Sequence, residues 1–507
     1  MASNDTPSSA LLGIDLGTSS VKVVVATFDG SVTGIGTEEY PILTPEPCYA
    51  EQDPESWWNA TVLATREALQ KANNPEIVGI GFSGQMHGTV LLDTQQKPLR
   101  SAIIWPDQRS ADLIPEIEQT VGRKLLAETC GTAPAAGFLV SSLFWLKKAT
   151  PKLLDQVASV LLPKDYIRLK LTGEIFTDDT DGAGSGLFDV QQRKWADPVI
   201  QRLGLPREIF PTSRLSTEIV GKLLPEPAAE LGLKAGIPIA AGCADQPAQA
   251  VAYGLIDPPR GSITVGTGGQ IFLPLSKPLL DPQMRIHTFC HVPKSRWYLL
   301  GAMLSAGMAV RWFRDVIGLG HATYREMDRL AAEVPPGSEG LLFLPYLVGE
   351  RSPLMDPQAK GAFVGLTLRH TTGHLVRAVL EGVAFALRHI LDTMVEFGAD
   401  IRALDTSGTG LDSVLWRQII SDVLNKNIYQ GTDAHSGERA GMGAAFVAGI
   451  GTGDLGDFDE VRALAPEFSS ATRPRPRIAE QYETFYARYK ELYPCLRPEF
   501  RRISQSS

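Results

Sequence analysis

The stretch "GIDLGTSSVKVVV", Gly13 to Val25, is an apolar strand broken by a turn of small residues and resumed as a second, β-branched strand. The same plan returns in "GSITVGTGGQIFLPLS", Gly261 to Ser276, where Val265–Gly269 stands in the place of Leu16–Ser20. Strand–helix alternation follows each copy. A repeat on this scale is a duplicated fold unit rather than a short solenoid period. The chain therefore reads as α/β, with two like domains facing each other. Its 507 residues are too many for one core and agree with that division.

Within each copy the local signals are ordinary. "ATFDGSVTGIGTEEYPI" carries Asp29-Gly30, a hairpin signal, so the chain opens as an antiparallel meander. "SWWNATVLATREALQKA" predicts an amphipathic helix with Ser56 as its N-cap. "IVGIGFSG" predicts a short buried strand. Pro258-Pro259 and the glycines around them punctuate the chain, and "APEFSSATRPRPR" precedes a last helix, "IAEQYETFYARYKELY". The expected division is a frayed N-terminus over 1–10, a first domain over 11–257, a second over 258–475, and a terminal helix and tail over 476–507.

Composition excludes several function classes. The net charge of −9, with acids and bases mixed along the chain, argues against a nucleic-acid partner. The five cysteines are scattered with no CxxC or Cys/His cluster, so neither a disulfide framework nor a zinc site is expected, and a reducing cytoplasm fits them. The N-terminal "MASNDTPSSA" lacks the basic and apolar regions of a signal peptide. No apolar run approaches the roughly 18 residues of a membrane span.

Asp15 lies inside an apolar strand, where a carboxylate is costly unless hydrogen bonds or a cation offset it. The turn after it offers backbone N–H groups and hydroxyls, a setting that suits phosphate oxygens. No GxxxxGK[ST] occurs, and no GxGxxG leads into a helix, so this is neither a Walker A loop nor a dinucleotide fingerprint. Two such hairpins on facing domains would grip a polyphosphate between them. Asp15 would hold hydrated Mg²⁺, and Thr18 and Ser19 would hold phosphate. Taken singly, the residues have plainer readings. Asp15 could be a turn residue, His87 a satisfied structural histidine, and Asp245 an N-cap for a helix starting near Pro247. The acidic run "DDTDGAGSG" lacks the ligand spacing of an EF-hand.

Eight motifs together resemble the FGGY carbohydrate kinases: "GIDLGTSSVKV", "EQDPESWW", "GFSGQMHGTVLLD", "LLPKDYIRLKLTGE", "GCADQPAQAVAYG", "VGTGGQIF", "LPYLVGERSP" and "RAVLEGVAFAL". The similarity runs from about Leu12 to the final helix. It implies two actin-like (RNase H-like) ATPase domains with the active site in the cleft, and ATP and Mg²⁺ as cofactors. "SGQMHG" is similar to the signature of members that phosphorylate D-xylulose to D-xylulose 5-phosphate; glycerol kinases carry an Arg-Glu pair where this chain has Met86-His87. By the same resemblance Asp245 is the general base for the sugar hydroxyl, and Met86, His87 and Gln246 contact the sugar. Asp15 is the metal and phosphate aspartate, and Thr18, Ser19, Gly266, Thr267 and Gly268 form the phosphate hairpins. "SGTGLDSVLWRQI" corresponds to the nucleotide-binding turn, so Gly408, Thr409, Gly410 and Ser413 are expected at the adenosine; Thr409 interrupts the usual glycine triplet. Trp105, Arg109, Asp178 and Asp181 fall near the sugar cleft, Trp105 and Arg109 reading equally as packing and a surface ion pair, and Arg351 is expected as a structural anchor between domains. The implied partners are a small ketopentose and ATP, with no nucleic acid, no membrane, and a homodimer left open. The competing readings are a kinase of the same family for ribulose, gluconate or an alditol, and an actin-like ATPase that is not a sugar kinase.

Overall fold

The computed structural model describes residues 9–316, 320, 322–407, 409–431, 437–467 and 470–506. Apolar residues drive two sheets. The first is built from β1 (Ser9–Leu16), β2 (Ser20–Ala26), β3 (Val32–Glu39), β4 (Glu76–Gly84), β5 (Ile219–Lys222) and β6 (Pro238–Ala240), in the order β5-β6-β4-β1-β2-β3. The second contains β7 (Arg260–Val265), β8 (Gly269–Leu275), β9 (His287–Cys290), β10 (Trp297–Met303), β11 (Ala403–Ser407), β12 (Asn427–Gln430) and β13 (Ser470–Thr472), in the order β9-β10-β8-β7-β11-β12-β13. The repeat seen in the sequence is a repeat of topology. In the first sheet β1, β2 and β3 form an antiparallel meander, and β4 then β6 add in parallel on the other side of β1. In the second, β7, β8 and β10 form the meander, and β11 then β12 add in parallel beside β7.

The helices used below are α1 (Pro54–Lys71), α2 (Pro163–Thr172), α3 (Asp179–Ala183), α4 (Asp245–Ala252), α5 (Thr372–Glu396), α6 (Val414–Leu424), α7 (Arg439–Thr452) and α8 (Pro476–Ser506). Three local expectations change. Helix α1 is capped by Asp53, whose side chain accepts the Glu55 amide at 3.0 Å, and not by Ser56. Pro54 fills the first helical position, where its missing N–H is no loss. Ser9 and Ala10, expected to fray, are the first residues of β1, because β4 pairs alongside them. Helix α8 continues past Tyr493 through Pro494 and Pro498. Its buried Tyr482, Tyr486, Tyr489 and Tyr493 join the second domain's core, and Phe500, one further buried anchor, lies beyond both prolines.

Helix α7 lies in sequence between β12 and β13 of the second sheet yet packs on β1 and β4 of the first, crossing α4. Backbones meet there with no room for side chains. A Cβ on Gly13 would fall 1.8 Å from the Gly441 carbonyl oxygen, and one on Gly443 would fall 1.9 Å from that of Ala248. This crossing fixes α4, and with it the first residue of α4, Asp245. A further core joins the halves: Met86, Phe138 and Val140 from the first pack with Phe272, Phe289, Tyr298 and Leu300 from the second. All five cysteines are free. Among the described residues no helix is long and apolar enough to cross a membrane.

Candidate active site

Two cavities bear on the site, and the smaller is lined from both halves of the chain. The smaller, about 220 Å³, is lined by Thr18, Gln85, Met86, His87, Trp105, Phe138, Asp245 and Gln246 from the first half, and by Gln270, His287, Phe289, Leu300, Ala302 and Arg351 from the second. The larger, about 540 Å³, lies in the second domain against the turn after β7.

The smaller cavity collects Asp245, Met86, His87, Gln246 and Trp105 of the expected sugar residues. "SGQMHG" leaves β4 and turns sharply at His87, which takes φ of 74°. A left-handed backbone on a residue other than glycine costs on the order of 1–3 kcal/mol and is held only where its surroundings demand it. Here the imidazole stacks on Phe138 with ring centroids 3.8 Å apart, and Nδ1 lies 2.6 Å from the Gly184 carbonyl oxygen. A carbonyl only accepts, so Nδ1 carries the proton and Nε2 remains an acceptor. Burial drives the His87 pKa down to about 3, so the ring is neutral. Gln270 Nε2 donates to Gln246 Oε1 at 2.9 Å, linking β8 to α4 across the cavity wall.

Asp245 is the first residue of α4, and Ala244 is the N-cap. The capping alternative for Asp245 is therefore wrong: its carboxylate does not close the helix end. Its Oδ1 is buried with no hydrogen-bond partner in the protein. Burial first, and then the charge of Asp15, push its pKa up to about 7. A carboxyl poised near neutrality beside an unfilled acceptor position is suited to taking a proton from a bound hydroxyl.

Asp15 lines neither cavity, although its charge reaches Asp245. Its Oδ1 accepts from the Ser83 hydroxyl at 2.6 Å, and Lys22 faces it across the β1–β2 pair. Burial raises its pKa, and Ser83 and Lys22 offset part of that. Two acids that raise each other's cost of ionising form a donor set that hard, oxygen-seeking Mg²⁺ would relieve, so the residues fit that ion. Thr18 belongs to the smaller cavity: its hydroxyl accepts from Trp105 Nε1 at 2.8 Å, which ties the first hairpin to the sugar side. Ser19 is exposed and lines neither cavity.

The larger cavity takes two of the three residues expected of the second hairpin. Gly266 and Thr267 line it, and their carbonyls accept the amides of Gly307 and Met308 at 2.8 and 3.0 Å. Gly268 is absent from the lining, and its carbonyl closes the turn by accepting the Gly266 amide at 2.9 Å. Gly410 and Ser413 also line the cavity. The Ser413 hydroxyl is already engaged, however, accepting the Trp416 amide at 3.0 Å as the cap of α6 and donating to Asp328 at 2.7 Å. Thr409 lies in the short 3-10 turn before that cap, and Gly408 lies outside the described residues.

Four further expectations move. Asp178 and Asp181 are not on the sugar side. They are fully buried behind it and paired with Lys164 of α2, the Asp181 contact being 2.9 Å. The one group of acids among the described residues close enough to share a metal, Asp165, Asp178 and Asp181, surrounds that ammonium. Arg109 is in neither cavity. It bonds Asp107 and Glu51, with its guanidinium 3.6 Å over the Tyr49 ring, an interior clamp rather than a surface pair. Arg351, expected as an anchor, faces the smaller cavity. The sequence reading missed Gln85, Phe138, Gln270, His287 and Phe289. Gln85 sits inside "SGQMHG" and could have been named; the others reach the cavity only through tertiary packing.

Residues 10–252 match the N-terminal domain of the FGGY family of carbohydrate kinases, and residues 261–452 match its C-terminal domain. The chain belongs to the FGGY family of carbohydrate kinases. It is 36% identical to a xylulose kinase of Escherichia coli over 96% of this chain and 99% of that one. Its fold is similar to the crystal structure of a "xyloylose kinase" from Brucella ovis, with a TM-score of 0.89 at 34% identity, covering 96% and 99% of the two chains. It is also similar to a gluconate kinase from Lactobacillus acidophilus, with a TM-score of 0.93 at 25% identity, covering 98% and 99%. The two-domain, actin-like α/β architecture expected from the duplicated hairpin is thus the family's own, and the protein is a carbohydrate kinase.

Proposed function

We propose that this FGGY kinase transfers the γ-phosphoryl group of ATP to the 5-hydroxyl of D-xylulose, giving D-xylulose 5-phosphate and ADP. The observation that carries the reading is Asp245, a buried carboxyl with a free acceptor oxygen and a pKa raised to about 7, facing a cavity of small-sugar size. Asp245 orients the hydroxyl and takes its proton as the new O–P bond forms and the bond to the leaving ADP oxygen breaks. His87 Nε2 accepts from a substrate hydroxyl while Gly184 holds the ring in place. Phe138 and Phe289 cover the apolar edges and exclude water. The turn Gly266–Gly268 offers backbone groups at the mouth of the larger cavity, where the nucleotide would lie. Mg²⁺, held through Asp15, would supply charge neutralisation of the phosphates. Length-wide likeness to xylulose kinases favours D-xylulose, whereas likeness to a gluconate kinase makes gluconate the reading to exclude. ADP release measured over D-xylulose, D-ribulose, xylitol, glycerol and gluconate tests this. D-xylulose should give the highest kcat/KM; a higher value for any other member, or comparable rates on glycerol, overturns it.

A further inference from the structure

Apart from Asp245, the only side chain lining the smaller cavity that carries a formal charge at neutral pH is Arg351. The segment that bears it is fixed. The Arg351 amide donates to Glu350 Oε1 at 2.8 Å, the Leu304 amide donates to the same oxygen at 2.9 Å, and the Ser352 amide donates to the Ala302 carbonyl on β10 at 2.9 Å. The guanidinium, by contrast, makes no hydrogen bond or ion pair with any described residue. It lies 6.0 Å from the centre of the Trp105 ring, and the nearby imidazoles of His87 and His287 are neutral. A largely desolvated cation without an oxygen partner is costly, and a planar fork of N–H donors suits a carbonyl or carboxylate oxygen. Burial lowers the Arg351 pKa, and Glu350 is the charge that offsets this. Arg351 reaches the cavity from the second half and Asp245 from the first, and the two form no ion pair.

We propose that Arg351 binds the C2 carbonyl oxygen of the sugar, at the end remote from the phosphorylated hydroxyl, and so makes the cavity selective for 2-ketoses over the matching alditols. The proposal rests on the ketose kinase reading and deepens it. Asp245 and Arg351 are not paired with each other, so the cavity holds opposite charges apart for a substrate that presents a hydroxyl to one and a carbonyl to the other. A charge-assisted bond of this kind is about twice as strong as a neutral one, and a hydroxyl at C2 replaces it poorly.

The test is calorimetric binding of sugar to the full chain without nucleotide. D-xylulose should bind at least about tenfold more tightly than xylitol and D-arabitol, its two C2-reduced forms. Arg351→Gln should weaken D-xylulose by about 10- to 100-fold and bring all three ligands within about threefold of one another. Equal binding of ketose and alditols by the unaltered protein, or unchanged D-xylulose binding by Arg351→Gln, overturns the proposal; the latter would place Arg351 at the phosphates instead. If Arg351→Gln does not fold, the unaltered protein and Arg351→Lys, which keeps charge but loses the planar fork, decide it. If the protein ignores D-xylulose but binds D-ribulose, the same comparison with ribitol and D-arabitol tests Arg351 while only the D-xylulose assignment falls. If it binds no ketose, both fall.

Discussion

The Thr180 hydroxyl accepts the amide of Ala244, the residue before Asp245, at 2.9 Å. The same hydroxyl donates to Asp178 Oδ1 at 2.5 Å, and Asp178 is held by the buried ammonium of Lys164. At the residue directly after α3, the Gly184 carbonyl accepts from His87. The short helix α3 and the residue after it thus brace the segment that carries the proposed base, Asp245, and the ring of His87.

Removing that hydroxyl should be felt at the base. Thr180→Val preserves shape but leaves the Ala244 amide without a partner and takes from Asp178 Oδ1 one of the hydrogen bonds it accepts, a loss of about 1–3 kcal/mol for a buried hydrogen bond. We expect kcat to fall by roughly tenfold with the sugar KM changed far less, and Thr180→Ser to restore most of the rate. Steady-state kinetics of the two variants, beside their melting curves, check this. An active Thr180→Val beside a damaged Thr180→Ser would mean that the methyl packing, and not the hydroxyl, matters.

Asp245→Asn keeps the shape of the side chain and removes the proton acceptor. Turnover should fall by about 10²–10⁴-fold with nucleotide affinity little changed. Stability should move the other way. The folded protein holds the Asp245 proton up to about pH 7, whereas an unfolded chain releases it near the ordinary aspartate value of 3.8. Between those values unfolding releases a proton, so this carboxyl's contribution is favourable at low pH and is lost as pH rises through about 7. Asp245→Asn should therefore melt at or above the unaltered protein, with a margin that grows from pH 5 to pH 8. A variant that is inactive because it has unfolded would show the reverse.

The same group sets a pH profile. The base must be unprotonated to act, so kcat/KM for the sugar should fall with unit slope below about pH 7. Because Asp15 helps to raise Asp245, Asp15→Asn should shift that limb toward lower pH while raising the Mg²⁺ concentration needed for half-maximal rate. An unmoved limb and an unmoved Mg²⁺ requirement would separate Asp15 from both roles.

The legible parts of this molecule were those in which local chemistry and tertiary role coincide. "LGTSS" and "VGTGG" are turns in isolation and turns in the fold, so the duplication and the strand order around it followed from pattern. Asp245 and His87 were named only through the resemblance of their motifs, since taken singly an acid before a helix reads as a cap and a histidine after a buried strand as a structural one. Arg351 and Asp178 were misplaced for a common reason. A side chain's partner is chosen by what packs opposite it, and Lys164 lies in a helix whose sequence gives no sign that its ammonium points inward among three acids. Thr18 read as a phosphate ligand because its turn offers hydroxyls; Trp105, distant in sequence, takes that hydroxyl. Ser56 lost the cap to Asp53 by the plain preference of proline for the first helical position.

The last prediction concerns the crossing of α4 and α7. Gly443 has no room for a side chain, since a Cβ there would lie 1.9 Å from the Ala248 carbonyl oxygen, a backbone atom that cannot swing aside. Gly443→Ala must push α4 away from α7, and Asp245 begins α4. Overpacking of this kind typically costs about 1–3 kcal/mol, but a shift of about 1 Å at a reacting group can cost 10²-fold in rate. We therefore expect Gly443→Ala to lose turnover far beyond what its lowered melting temperature explains, with nucleotide binding in the larger cavity largely kept. Gly232→Ala is the control. Gly232 takes φ of 74° with nothing within 4 Å of a Cβ, so its substitution strains the backbone far from the crossing. It should lower the melting temperature and leave kcat alone. If Gly443→Ala and Gly232→Ala lose activity only in proportion to lost folded protein, the crossing holds the domains together without setting the base.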